Sequence, residues 1–146
     1  MKKQTTRALL GLAAALMLVV AANAQVMHAV TVRVPFDFVA GEKQMPAGRY
    51  TVRRIKSDSE SALLIRSEDG RSTAVVLTNT GEKSPRTGAL DFRQHGDRYF
   101  LAGVSMPGTA SVRELPVTGA ERRLERELAG QKGEESKTVT VVGSVQ

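Results

Sequence analysis

The sequence predicts an all-β fold, mainly antiparallel, in the form of a small β-sandwich or barrel with one C-terminal surface helix. Apolar and polar residues alternate over several short segments, which is the pattern of half-buried strands. Turn residues separate these segments at short spacing, and only one segment, at about residues 118–129, has a helical pattern. Short strands at close spacing favour a sandwich or a barrel over a parallel α/β sheet, and the sequence leaves both open.

The amino end predicts a cleavable secretory signal peptide over residues 1–24. An uncharged apolar stretch fills residues 8–22, Ala-Asn-Ala precedes the cleavage point, and the start is basic, with Lys2, Lys3 and Arg7. The apolar stretch is shorter than the roughly 20 residues that cross a bilayer, so we expect cleavage and no integral membrane span. Export to the periplasm or the extracellular space follows from this prediction.

The mature chain opens with two predicted strands joined by a turn. Residues 30–38 alternate between apolar and polar side chains, and Pro35 places an edge or a kink in the run, because proline cannot donate a ladder hydrogen bond. Pro46 and Gly48 are typical turn residues. The alternation resumes at residues 50–53, which predicts a second strand paired back on the first.

Two hairpins are predicted next. In each, a glycine-containing turn separates two aliphatic or aromatic runs: Asp69-Gly70 between residues 63–66 and 72–78, and His95-Gly96-Asp97 between residues 90–93 and 98–104. The stretch between the hairpins, residues 79–88, contains two glycines and a proline among polar residues and is predicted to be a loop.

The helix prediction depends on its two ends and its apolar stripe. Thr118 and Glu121 have the spacing of a capping box, and Gly130 is placed to end the helix in a left-handed turn. Leu124 and Leu128 form a narrow apolar stripe on an otherwise charged cylinder, which predicts a helix on the surface of the sheet domain.

The segment after the helix has several possible fates. Residues 25–130 are predicted to form a single β-rich domain, and residues 131–146 a linker with a short strand or a flexible tail. Within that segment Thr138 to Val142 has strand character. It completes the sheet in cis, stays loose, or adds as a strand to the exposed sheet edge of another chain.

Composition limits the range of partners. The chain has 21 Lys and Arg against 15 Asp and Glu, a net charge of +6. Three of the basic residues belong to the leader, so the mature chain keeps 18 against 15, a net charge of +3 spread along its length. Nucleic-acid binders concentrate basic residues on one face and often stack bases on aromatic rings, whereas aromatic residues make up only 4% here. We therefore predict no nucleic-acid partner.

Cysteine is absent, which bears on both stability and anchoring. With Cys 0 the mature chain has no disulfide even in an oxidising compartment. Its 122 residues, the 146 of the chain less the 24 of the leader, are enough to build an ordinary hydrophobic core. We expect stability to come from that core alone.

Two short motifs resemble functional signatures, but their surroundings support neither. Residues 115–119 read Leu-Pro-Val-Thr-Gly, a cell-wall sorting signal, yet sorting needs an apolar membrane segment downstream and a charged helix follows instead. Residues 103–108 approach the Gly-x-Ser-x-Gly turn of a nucleophilic serine, but Pro107 replaces its second glycine. We interpret the first as a strand end with a helix cap and the second as a β-turn, so Ser105 is not predicted to be a nucleophile.

Candidate ligands and acids are few. Asp91, His95 and Asp97 lie around one hairpin and are the best candidates for a metal site, but we interpret His95 and Asp97 as turn residues. Asp37, Glu42 and Asp91 fall on polar faces, as surface residues do. The sequence predicts no catalytic, cofactor-binding or metal-binding residue, and no cofactor.

Four motifs follow one another between Thr31 and Leu128. They are Val-Arg-Val-Pro-Phe-Asp-Phe (residues 32–38), Met-Pro-Ala-Gly-Arg-Tyr-Thr-Val (45–52), Gly-Asp-Arg-Tyr-Phe-Leu (96–101) and Arg-Glu-Leu-Pro (113–116). In these motifs the chain resembles a family of small exported β-rich proteins from acidobacteria, to which no activity is assigned. The resemblance implies export and a β-rich domain and brings no catalytic residues with it.

Three functional hypotheses remain at this point. The first is an exported, non-enzymatic β-domain that binds an envelope component or a protein partner through its loops or an edge strand. The alternative is a barrel-type carrier with an interior pocket for a small apolar ligand. An enzyme that uses His95 with nearby carboxylates comes third, because no catalytic signature supports it.

Overall fold

The computed structural model describes residues 29–56, 59–83, 87–132 and 136–145. The predicted leader, residues 1–24, lies outside the described residues. The elements in chain order are β1 (Ala29–Val34), β2 (Phe38–Ala40), β3 (Lys43–Met45), β4 (Gly48–Lys56), β5 (Ser59–Ser67), β6 (Thr73–Leu77), β7 (Asn79–Lys83), β8 (Ala89–His95), β9 (Arg98–Ser105), β10 (Ser111–Glu114), α1 (Gly119–Lys132), β11 (Lys137–Val142) and β12 (Ser144–Val145).

The strands form two sheets. The five-stranded sheet has the order β12-β1-β4-β5-β6. The seven-stranded sheet has the order β11-β8-β9-β10-β7, with β2 beside β9 and β3 beside β2. All pairs are antiparallel except β2 with β9. The all-β prediction is confirmed, and of the two architectures left open the fold is the sandwich, whereas a closed barrel is wrong.

The inner faces of both sheets share one core. Alternate residues of β1, β4 and β5 point into it from one side, and Phe38, Phe92 and Leu101 from the other. The rings of Phe36 and Phe38 both meet Phe92 edge-on, with centroids 5.2 and 5.3 Å apart. Since aromatic and aliphatic side chains fill the space between the sheets, the interior pocket of the carrier hypothesis has no counterpart in the described part of the chain.

Local turn chemistry predicted three of the strand pairs. β1 ends at Val34, immediately before Pro35, and β4 pairs back on β1 as expected. Both predicted hairpins form, β5 with β6 and β8 with β9. Their turns contain Gly70 and Gly96 with φ of +72° and +60°, the left-handed region that glycine enters without a steric penalty.

The predicted loop at residues 79–88 is wrong over its first half. Asn79–Lys83 forms β7, which pairs with β10 at the end of the seven-stranded sheet. Residues 84–86 lie outside the described residues. Asn79, Thr80 and Glu82 are exposed, so this edge strand shows none of the apolar alternation on which the prediction depended. Gly81 leaves room for the side chain of Glu114 on the neighbouring strand.

The C-terminal part takes the first of the alternatives left open for it, pairing in cis. Helix α1 runs to Lys132, so Gly130 does not end it and is not among the glycines with positive φ. The segment Thr138 to Val142 lies in β11 and pairs in cis with β8. Because β11 and β12 join opposite sheets, the folded domain extends to Val145. Among the described residues, no helix has the length and apolar character that a membrane crossing requires.

Candidate functional site

Helix α1 is oriented by its first turn. The N–H of Glu121 donates to Thr118 Oγ1 at 3.2 Å, which is half of the predicted capping box. The Glu121 side chain does not complete the box by turning back to Thr118. It points to strand β8 instead, because Arg93 and His95 on that strand donate hydrogen bonds to it.

Those two groups and Glu121 form a buried cluster on the outer side of β8. Arg93 donates from Nε to Glu121 Oε1 at 2.6 Å and from its terminal amino group to Oε2 at 3.1 Å. His95 Nε2 lies 3.0 Å from the same Oε1 and 3.4 Å from Glu125 Oε1. An ionised carboxylate can accept hydrogen bonds but cannot donate them, so Nε2 of His95 carries the ring proton. Glu121 is 1% exposed, which makes it the most deeply buried charged group described.

The cluster anchors the helix to the sheet. Burial raises the pKa of Glu121, but hydrogen bonds from Arg93 and His95, together with the charge of Arg93, outweigh burial and hold that pKa below its usual value. The carboxylate is thus ionised and neutralised in place. An Arg–carboxylate pair with two parallel bonds also fixes geometry, so it helps to set the position of the helix on the sheet.

The lowered pKa of Glu121 predicts a loss of stability in acid. A carboxyl whose folded pKa lies below its unfolded value, about 4.3 for glutamate, contributes stability above that value and loses it as the pH falls through the folded pKa. Urea unfolding from neutral pH downwards should show the wild type losing stability below about pH 4, where it should converge with a Glu121→Gln variant. A gap between the two proteins that stays constant to the lowest pH would contradict the prediction.

The same residues are the best candidates for a metal site among those described. One ligand atom from each of His95, Glu121 and Glu125 lies within 4.8 Å of the other two. Arg93, however, already donates to both oxygens of Glu121. A divalent cation there would sit beside a guanidinium that cannot lose its charge, so the geometry favours an ion-pair anchor over a metal centre.

The structure separates the residues that the sequence had grouped for a metal. His95 is 5% exposed at the end of β8, while Asp97 in the following turn is exposed. Asp91 Oδ1 accepts from Thr140 Oγ1 at 2.6 Å, which ties β8 to β11. The carboxylates that do contact His95 are Glu121 and Glu125 on helix α1, and not Asp91 and Asp97.

The remaining predicted residues have structural surroundings. Ser105 is 1% exposed, and its hydroxyl is the one buried side-chain polar atom without a hydrogen-bond partner in the described part of the chain. A nucleophile needs a base within hydrogen-bond reach, which Ser105 lacks here. Asp37 accepts the N–H of Ala47 at 2.7 Å and so closes the turn before β4, while Glu42 is exposed.

Strand β6 is an open edge of the five-stranded sheet. Its ladder with β5 is bracketed by two backbone bonds of 2.8 Å, from the N–H of Thr78 to the carbonyl of Ser61 and from the N–H of Ser67 to the carbonyl of Ser72. Bonded and non-bonded pairs alternate along an antiparallel ladder. The N–H and C=O groups of Thr73, Val75 and Leu77 therefore point away from β5.

The side chains on this edge are apolar and exposed. Val75 is 60% exposed and Leu77 is 70% exposed, while Val76 between them is buried in the core. Lys43 Nζ donates to the carbonyl of Thr73 at 2.6 Å, which occupies one end of the edge. Within the described residues, β6 has no other strand neighbour than β5.

The outer face of the same sheet also has a basic region. The register places Arg33 on β1 directly opposite Arg49 on β4, and Arg66 on β5 opposite Thr51 on β4. All three arginines are exposed. The only ion pair described for them joins Arg49 to Glu68 at 3.5 Å.

No protein-family model, no curated protein and no solved structure matches the chain.

Proposed function

We propose that the protein is an exported, non-enzymatic binding module whose β6 edge takes up an extended segment of a partner protein. The observation that carries this proposal is the exposure of Val75 and Leu77 on a strand that, among the described residues, pairs with β5 alone and leaves the outward backbone groups of these two residues without a strand partner. Strand addition uses both features, because backbone bonds supply affinity and pockets for alternate side chains supply specificity.

The β6 edge lacks most of the protection that exposed edges usually carry. Natural edge strands are blunted by charged side chains, proline, bulges or a covering element. The sequence of β6, Thr-Ala-Val-Val-Leu, has neither charge nor proline, and its ladder with β5 has no bulge. The hydrogen bond from Lys43 covers only the Thr73 end of the strand. An edge that is open at Val75 and Leu77 is thus available to a partner strand.

The neighbouring strand indicates the chemistry of that partner. Leu64 lies beside Val75 and Ala62 beside Leu77 on the same outer face, and both are half-buried. The four side chains form an apolar corner of the sheet. A partner strand with apolar residues at alternate positions would extend this corner and cover Val75 and Leu77, whereas a charged strand would leave them in water.

Two further observations support the other parts of the proposal. The His95 ring is 3% exposed with Nε2 directed at carboxylates, so it is not placed to act on a substrate. Export is supported by the leader predicted for residues 1–24 and by the family resemblance of the motifs.

Selection from a library of short random peptides displayed on phage tests the proposal. The mature chain from Gln25 is the bait, and we expect selected peptides to carry apolar residues at alternate positions. Bound peptide should slow hydrogen exchange of the Val75 and Leu77 amides, which point outward in the free protein. Val75→Lys should weaken binding by about tenfold or more, since it places a charge in the apolar corner.

Val142→Lys is the matched control. Val142 is also an exposed valine, 67% accessible, but lies on β11 at the edge of the other sheet. Binding should survive this change. Equal losses from both variants, protection of amides elsewhere, or a protein that pairs with its own second copy in place of any peptide would each overturn the proposal.

A further inference from the structure

Two adjoining depressions cross the outer face of the five-stranded sheet. One, of about 400 Å³, is lined by Thr31, Arg33, Arg49, Val142, Gly143 and Ser144. The other, of about 290 Å³, has six lining residues, one of them acidic: Thr31, Arg49, Thr51, Arg66, Ser67 and Glu68. Since they share Thr31 and Arg49, they form one continuous depression, which we call the arginine groove.

The charge in the arginine groove is an unfavourable arrangement for the free protein. Arg33 and Arg49 are directly opposite each other on neighbouring antiparallel strands, and like charges in that position destabilise a sheet. Glu68 pairs with Arg49 but is itself 68% exposed, and no described carboxylate lies within ion-pair distance of Arg33 or Arg66. An anionic ligand would relieve this repulsion.

The side chains in the groove select among anionic ligands. Guanidinium groups match carboxylate, sulfate and phosphate groups through paired hydrogen bonds. The hydroxyls of Thr31, Thr51 and Ser144 supply further polar contacts. No aromatic ring lines either depression, so bases have no stacking platform. Val142 at one end is the one large apolar side chain, which is too little to anchor a lipid or the side chains of a peptide.

The dimensions of the groove favour a polymer over a single ion. It crosses β12, β1, β4 and β5, and neighbouring strands lie about 4.8 Å apart, so it extends over about 14 Å. A chain with repeated anionic groups and many hydroxyls can contact Arg33, Arg49 and Arg66 together. We infer that the arginine groove binds an acidic polysaccharide. This inference concerns a different surface from the β6 edge and does not depend on the proposed strand addition.

Titration calorimetry with polygalacturonate tests the inference on the mature chain. At about 0.1 M salt, where exposed charges are screened beyond about 10 Å, we expect measurable binding, and none to neutral dextran. The double variant Arg33→Gln/Arg49→Gln should bind at least about tenfold more weakly, because it removes charge-assisted hydrogen bonds. It should also be as stable as the wild type or more so, since a like-charge pair is gone.

Arg122→Gln/Arg126→Gln is the charge-matched control. These two arginines are also exposed neighbours, but lie on α1 at the other sheet, and glutamine keeps the helix propensity. Binding of polygalacturonate should stay within about twofold of the wild type, because these charges are distant and screened. Equal losses in both double variants, no binding at all, or tighter binding of duplex DNA or anionic lipid vesicles would overturn the inference.

Discussion

Replacing Phe92 by alanine is expected to lower the free energy of unfolding by about 4 kcal/mol. Phe92 is 0% exposed, and its ring meets both Phe36 and Phe38 edge-on in the centre of the sandwich. The truncation removes buried apolar surface and leaves a cavity. Strand β8 cannot shift to close it, because hydrogen bonds hold β8 between β9 and β11. Domains have a total stability of about 5–15 kcal/mol, so this single change removes a large part of it.

Urea unfolding followed by circular dichroism measures the loss. Phe36→Ala is the comparison, because Phe36 belongs to the same aromatic group but is only half-buried at the bend after β1. Part of its ring already contacts water, so its removal should cost clearly less. A Phe36→Ala variant that loses as much stability as Phe92→Ala would show that the aromatic core is not centred on Phe92.

Replacing Glu121 by alanine is the second change with a large expected effect, a loss of about 3 kcal/mol. The variant leaves the Arg93 guanidinium without its carboxylate and removes the 3.0 Å contact to His95. Arg93 is 23% exposed and reaches some water, which places the cost at the lower end for a broken buried pair. The same unfolding experiment measures it.

Glu125→Ala is the control on the same helix, one turn further along. Its carboxylate is 42% exposed and lies 3.4 Å from His95, so we expect a loss below about 1 kcal/mol. Alanine has a high helix propensity at both positions. A difference in the free energy of unfolding between the two variants therefore reports on the ion pairs that each one removes. Similar losses would mean that the cluster does not anchor the helix through Glu121.

Strands with local signals were predictable, whereas strands defined by distant partners were not. The turns at Gly70 and Gly96 need only neighbouring residues to form, and both hairpins follow from them. β7 is largely exposed and β10 half-buried, and neither shows alternation, so their partners define them as strands: β7 pairs with β10, and β10 also pairs with β9. The choice of a sandwich over a barrel depends on contacts between sheets, which no short pattern encodes.

The buried cluster shows the same limit at the level of one side chain. Glu121 was predicted as a capping-box residue, and its backbone does bond to Thr118. The partners of its carboxylate, Arg93 and His95, lie on β8, and nothing near Glu121 in the sequence indicates them. One local signal was present: Glu121, Leu124, Glu125 and Leu128 have the spacing of a single helix face, and between residues 119 and 130 these are the side chains that are buried or half-buried.

The first and last strands of the domain are neighbours. Val30 on β1 pairs with Val145 on β12, while the preceding strand β11 completes the opposite sheet. Such long-range closure delays folding, because the entropy of a large loop is lost before the contacts form. The native sandwich thus cannot be completed by a partly synthesised chain, because the five-stranded sheet lacks β12 until Ser144 and Val145 are present.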